Sequence, residues 1–250
     1  MKVYFIGAGP GDPELLTIKA KKIIEKADVI IYAGSLINPQ ILRHAKHGAK
    51  LYNSAKMDLE EIIEIISKAA RKKKIVVRLH SGDPSIYGAI QEQMELLEEN
   101  GIAYEVVPGI SSFLAAAASL NREYTIPEVS QTVIITRMKG RTKVPKEERL
   151  SALAKHRASM CIFLSTSMID EVVKELKEGY AEDTPVAVVY KASWEDEKVI
   201  LGLLNDIVDR AKDEKIDKTA LILVGDFLKS SKKRSKLYDK EFSHSFRGKR

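Results

Sequence analysis

The chain has 250 residues, 44% hydrophobic and 30% charged, with one cysteine and a formal charge of +6. Those fractions exclude a disordered chain, a collagen and a disulfide-stapled mini-protein, and the length makes two domains the leading expectation. No apolar run reaches the roughly 18–20 residues a membrane span needs, Met1–Gly7 is too short for a secretory leader, and the lone Cys161 points to a reducing cytoplasm.

Val3–Ile6 reads as a strand, ended by the turn formers Gly7-Ala8-Gly9-Pro10-Gly11-Asp12-Pro13. Leu15, Leu16, Ile18, Ala20, Ile23 and Ile24 follow at helical spacing. Val29–Tyr32 is a second strand. Leu59, Ile62, Ile63, Ile65 and Ile66 form an amphipathic stripe, closed by the basic run Arg71–Lys74 that suits a helix C-terminus. Ile75–Leu79 is the next strand, then His80-Ser81-Gly82-Asp83-Pro84-Ser85 and a helix from Ile86 to Glu99. Tyr104–Val107 is a strand broken by Pro108-Gly109, and Ser111–Leu120 an Ala-rich helix. This alternation predicts a mostly parallel sheet with helices on both faces. A linker is expected near residues 118–126. Beyond it, Thr132–Thr136, Met160–Leu164, Val186–Tyr190, Val199–Leu201 and Ala220–Val224 read as strands. Helices fit Lys146–His156, Ser167–Glu178 and Leu203–Lys212. The expectation is two α/β domains, 1–119 and 126–228, the second with a mixed sheet, and a tail 229–250. That tail holds nine basic and two acidic residues, so it carries +7 and the rest of the chain −1. It reads as a solvated terminus. The near-neutral body lacks basic residues interleaved with aromatics, so no nucleic-acid partner is expected; a basic-tailed nucleic-acid-binding protein is the alternative of a different class.

Ligands of parallel α/β sheets bind at the carboxyl ends of the strands, and three loops occupy that position. Gly7–Pro13 approaches the dinucleotide fingerprint, but its sixth position is Asp12 rather than glycine, and no Lys-Ser/Thr follows, which argues against NAD and ATP. In His80–Tyr87, Gly82 allows close backbone approach, and Asp83 is placed either to cap a helix or to meet a ligand. In Val107–Ser112, Ser111 and Ser112 stand at a helix start, with the same two readings. Elsewhere, Cys161 reads as buried core and Trp194 as packing. His44 and His47 have no partnering acid motif, so no metal is expected.

The opening run Val3-Tyr4-Phe5-Ile6-Gly7-Ala8-Gly9-Pro10-Gly11-Asp12-Pro13-Glu14-Leu15-Leu16-Thr17 resembles the first signature of the tetrapyrrole (corrin/porphyrin) methyltransferases. Ser81–Pro84 and Val107–Ser112 are similar to the second and third, and the likeness spans residues 2–228. Ile31–Leu36, Arg78–Ile90, Ile126–Thr132 and Thr184–Trp194 resemble one branch, the precorrin-4 C11-methyltransferases. The uroporphyrinogen III branch usually has an Asp where Ala33 stands, so its acid–base pair does not carry over. The resemblance implies two α/β domains with S-adenosyl-L-methionine in the cleft between them, an anionic tetrapyrrole substrate and a homodimer. Carried over residue by residue, the cofactor site takes Pro10, Gly82, Asp83, Ile86, Ser111, Ser112, Leu164, Ala187, Ala192, Thr219 and Ala220. No catalytic base is implied, because transfer from a sulfonium is an in-line displacement with a neutral leaving group, and alignment is the main task. The substrate's carboxylates call for cations. Arg78 and His80 share one face of a strand end, and Arg137, Lys139, Arg141 and Lys191 follow predicted strands, with Arg suited to bidentate contact. Tyr32 and Tyr87 are placed to line the site. Other tetrapyrrole positions (C2/C7 or C17) are the alternative within the chemistry.

Overall fold

Four apolar runs and one polar run pair into a single parallel sheet. The strands are β1 (Val3–Gly7), β2 (Val29–Tyr32), β3 (Lys50–Asn53), β4 (Val76–His80) and β5 (Tyr104–Val107), in the order β3-β2-β4-β1-β5. They come from a computed structural model that describes residues 2–229, 235, 242, 243 and 245; the basic tail otherwise lies outside the described residues. The connecting helices are α1 (Ile18–Ile24), α2 (Pro39–Leu42), α3 (Leu59–Arg71) and α4 (Gln91–Glu99). α1 and α2 bury Ala20, Ile24 and Ile41 in one core layer with Ile6, Ile30, Val77 and Leu79. α3 and α4 bury Ile62, Ile66, Ala69 and Leu97 in the other, with Val3, Phe5, Ile31 and Val76. With both faces covered, the inner strands are mostly apolar, Arg78 and His80 of β4 being the exceptions. α3 starts on a capping box, in which the Asp58 carboxylate accepts from the Glu61 amide at 2.8 Å and Glu61 accepts from the Asp58 amide at 3.1 Å.

The layers follow the direction of travel. Crossovers toward the β3 edge use α1 and α2 on one face, and crossovers toward the β5 edge use α3 and α4 on the other. Right-handed crossovers sort helices in this way. The direction reverses between the neighbours β1 and β4, which makes their carboxyl ends the switch point of the sheet.

The chain divides into two units. The first runs as far as Ala115 and also holds Lys191–Asp196. The second holds Ala116–Tyr190 and the chain from Glu197 onward. α5 (Ser112–Ser119) carries the chain from one to the other. The second unit contains β6 (Val133–Arg137), α6 (Leu150–Leu153), β7 (Ser159–Phe163), α7 (Ile169–Leu176), β8 (Pro185–Tyr190), β9 (Lys198–Leu203), α8 (Ile207–Asp213) and β10 (Ala220–Val224). Its sheet runs β6-β7-β10-β8-β9 and is mixed, with only β6 and β7 parallel. α7 presents Ile169, Val172, Val173 and Leu176 to a core shared with Met160, Ile162, Val186, Val188 and Ile222. Cys161 is fully buried in β7, and burial pushes its thiol up to about 12, so it remains a protonated core residue.

Several elements differ from the sequence reading. β3 was not anticipated, because Lys50-Leu51-Tyr52-Asn53 is an edge strand with little burial to pattern it. The helix expected from Ile86 starts at Gln91, since Tyr87 and Ala89 take left-handed φ values of 54° and 49°. Lys146–His156 breaks into two short 3-10 turns around α6. Leu203 closes β9 instead of opening α8; its amide donates to the Asp206 carboxylate at 2.7 Å.

Candidate functional site

The three glycine-bearing loops leave three adjacent strands, β4, β1 and β5, at their carboxyl ends. Gly9 and Gly82 form a two-residue bridge: the Gly82 amide donates to the Gly9 carbonyl at 2.8 Å and the Gly9 amide to the Gly82 carbonyl at 3.2 Å. The Ala8 amide donates to the His80 carbonyl at 2.7 Å. The contact extends to the third loop. A Cβ on Gly7 would lie 2.6 Å from the Gly109 Cα, and one on Gly109 would collide with the Gly82 carbonyl. Gly82 itself sits at φ +63°, where a side chain is strained.

Asp83 fastens the second loop to the third. One carboxylate oxygen accepts from the Gly109 amide at 2.8 Å. The other accepts from the Ser85 amide at 2.9 Å and from the Ser85 hydroxyl. Burial acts to raise its pKa, but these hydrogen bonds from Ser85 and Gly109 outweigh it, and the net shift is downward. Asp83 therefore shapes the site as a fixed anion. Ser111 is buried beside this turn, and Ser112 opens α5.

The first loop is held by side chains. The Asn38 amide donates to the Gly11 carbonyl at 2.9 Å, the Trp194 indole N–H to the Pro10 carbonyl at 2.9 Å, and the Ser193 hydroxyl accepts from the Asp12 amide at 3.0 Å. Asp12 caps a 3-10 turn, Pro13–Leu15, by accepting from the Glu14 amide at 2.8 Å. That explains an acid where a dinucleotide fingerprint has glycine. Sequence reading took Trp194 for packing and passed over Asn38 and Ser193. No sequence signal marks them: only the structure shows that Gly11, a glycine without positive φ, has its space filled by the Trp194 ring.

Arg78 and His80 share a face, as the period-2 rule requires, and that face is interior. The Arg78 guanidinium donates to Gln93 Oε1 at 3.2 Å and to the Ile31 carbonyl at 3.3 Å. Burial lowers it to about 10, so it keeps its charge at neutral pH. Its position between strand and α4 corrects the expectation of a carboxylate-facing cation. His80 is 4% exposed, and its Nε2 has no hydrogen-bond partner among the described residues. Burial, then the Arg78 charge, lowers its pKa to about 3, so the imidazole is neutral. Tyr32 ends β2, half-buried; Tyr87 is exposed at a left-handed position; Ile86 is half-buried and Pro10 buried. Lys191 is bound to Asp196 at 2.5 Å and lies 5.1 Å from the centre of the Trp194 ring, so its charge is engaged within this segment. Ala192 is buried.

In the second unit, Leu164 follows β7 with φ +53° and an exposed side chain. Thr219 (φ +54°) and Ala220 lie at the same sheet end, where the Thr166 hydroxyl donates to the Ala220 carbonyl at 3.1 Å. Ala187 is away from that end, fully buried and paired with Leu201 and Leu223. Arg137 donates to the Thr142 and Lys143 carbonyls at 3.4 and 2.9 Å, pinning the loop that carries the exposed Lys139 and Arg141. Among the described residues, no group of three His, Cys, Asp or Glu is placed to hold a metal ion, and no helix is long and apolar enough to cross a membrane.

A doubly wound sheet with three tight loops at the carboxyl ends of adjacent strands, followed in the chain by a second α/β unit, defines a two-unit α/β protein. The chain belongs to the Tetrapyrrole (Corrin/Porphyrin) Methylases, whose family model matches residues 2–208. It is 61% identical over 248 residues to a cobalt-precorrin-4 C(11)-methyltransferase of Methanocaldococcus jannaschii, covering 98% of this chain and 96% of that protein. A solved structure of a cobalt precorrin-4 methyltransferase matches with a TM-score of 0.89 at 47% identity, covering 92% of this chain and 96% of the other. A uroporphyrin-III C-methyl transferase from Thermus thermophilus, complexed with S-adenyl homocysteine, matches with a TM-score of 0.75 at 28% identity, covering 92% and 94%.

Proposed function

We propose that the chain is an S-adenosylmethionine-dependent C-methyltransferase acting at C11 of cobalt-precorrin-4 or precorrin-4 in cobalamin biosynthesis. The observation that carries this reading is the 61% identity, over nearly the whole of both chains, to a protein of that activity. The relative complexed with S-adenyl homocysteine supports the cofactor.

The loops of the first unit suit such a cofactor. They offer backbone amides and carbonyls on turns whose close approach forbids side chains at Gly7 and Gly109. S-adenosylmethionine supplies there an electrophilic methyl group and leaves as a neutral thioether. The protein's own task is to bind, align and exclude water. We assign binding to Pro10, Gly82, Ile86, Ser111 and Ser112, and loop positioning to Asp83. Carboxylates of an anionic tetrapyrrole are assigned to Lys139 and Arg141, since Arg78 is committed to interior partners. His80, 4% exposed on the same interior face as Arg78, is likewise not assigned to the substrate. The same reading makes the protein a cytoplasmic homodimer, supported by the family resemblance and by a lone cysteine that is free and buried.

The test is incubation with methyl-labelled S-adenosylmethionine and cobalt-precorrin-4 or precorrin-4 generated in situ. NMR is expected to find the label at C11. Label at C2/C7 or C17, or on RNA, overturns the assignment.

A further inference from the structure

Trp194 makes contacts that packing alone does not require. Its indole N–H bonds the Pro10 carbonyl, its ring fills the space beside Gly11, and the preceding Ser193 hydroxyl receives the Asp12 amide. Three consecutive loop residues are thus held by two consecutive side chains. The segment that presents them is itself tightly folded. Lys191 and Ser193 take φ values of +47° and +71°, and the Trp194 amide donates to the Lys191 carbonyl at 2.9 Å. Left-handed backbone at non-glycine residues costs energy and persists where surroundings demand it. Gly11 completes the argument. Its backbone does not need glycine for its conformation, yet a Cβ there would strike the indole ring. The glycine and the tryptophan are complementary parts of one fit.

We infer that Trp194, assisted by Ser193, is a positioning residue for the Gly7–Pro13 loop and sets its affinity for S-adenosylmethionine. The inference rests on the reading that this loop binds that cofactor. A residue that only packed would change stability and leave ligand affinity alone.

The product analogue S-adenosylhomocysteine is the probe, titrated by calorimetry into the full-length protein and its variants. Trp194→Phe keeps a ring over Gly11 and loses the N–H, so it is expected to bind about tenfold more weakly while circular dichroism is unchanged. Gly11→Ala is expected to cost at least about tenfold in the native background. In a Trp194→Ala background, which leaves room for the new methyl, the same change is expected to cost less than about threefold. Trp194 is the only tryptophan in the chain. Its emission is therefore expected to change on titration with the calorimetric Kd. Equal affinity of Trp194→Phe and the parent, or an equal cost of Gly11→Ala in both backgrounds, overturns this inference and leaves the methyltransferase reading standing. A parent protein that fails to bind S-adenosylhomocysteine overturns both.

Discussion

His80 closes β4 with an imidazole that is buried, next to a guanidinium and, among the described residues, unpartnered at Nε2. Its folded pKa, about 3, lies below the ordinary value of 6.5. Between those values the unfolded chain binds a proton that the native state does not. Stability therefore rises with pH through this window and is lost as pH falls, by an amount on the order of 5 kcal/mol. His80→Phe removes the titrating group. Urea unfolding at pH 7 and pH 4 is expected to show a smaller acid loss in the variant than in the parent; equal losses would mean that the imidazole protonates without cost. The neighbouring residues show how far a sequence can be read at this scale. That Arg78 and His80 share a face follows from strand periodicity. That the face is inside does not, because it depends on α4 bringing Gln93 over the guanidinium. Asp83 was legible as a cap or a ligand contact, and only the partner loop, 26 residues on, settles what its second oxygen meets.

At the scale of elements, the carboxyl ends of β4, β1 and β5 act as one object. Their glycines meet backbone to backbone, so the substitution with the least added bulk is already too large. Gly109→Ala would place its Cβ 2.8 Å from the Gly7 Cα as well as against the Gly82 carbonyl. Neither neighbour can rotate away. We expect a loss of about 3 kcal/mol in unfolding free energy, measured by denaturant titration. Gly48, whose added Cβ would meet nothing within 4 Å, is a control for position-independent effects, although its own φ of +80° strains any side chain. A Gly109→Ala loss no larger than that of Gly48→Ala would show that the three loops can part. The strands that make this object are legible because each is a short, mostly apolar run, rich in β-branched and aromatic residues, that leads into turn formers. Their spatial order is not, because in parallel sheets it is set by crossovers that periodicity does not record. The failures fall where local pattern is weak. β3 lacks burial, and the start of α4 is delayed by two left-handed residues flanking Gly88, where a side chain would strike the Pro84 carbonyl.

For the whole molecule, charge is unevenly held. The body is nearly neutral and the stretch from Lys229 to Arg250 carries the excess. The family match ends at residue 208 and the last described element at Leu228. Truncation after Lys229 is therefore expected to leave S-adenosylhomocysteine affinity unchanged by calorimetry. A tenfold loss, about 1.4 kcal/mol, would give the tail a part in ligand binding. The division into units has a consequence in time. The first unit is not contiguous in the gene, because Lys191–Asp196 belongs to it. During synthesis the five parallel strands are complete long before Trp194 exists. At about 5–20 residues per second, the chain from the end of β5 at Val107 to Trp194 takes on the order of 4–17 seconds, and for that time the completed sheet lacks the Ser193 and Trp194 contacts to its glycine loop. A nascent chain stopped at residue 190 would carry the whole parallel sheet and the Asn38 and Gly82 contacts of its first loop, but not those of Ser193 and Trp194; if Trp194 sets ligand affinity as inferred above, full affinity comes late in the birth of the chain rather than with the sheet that displays the loop.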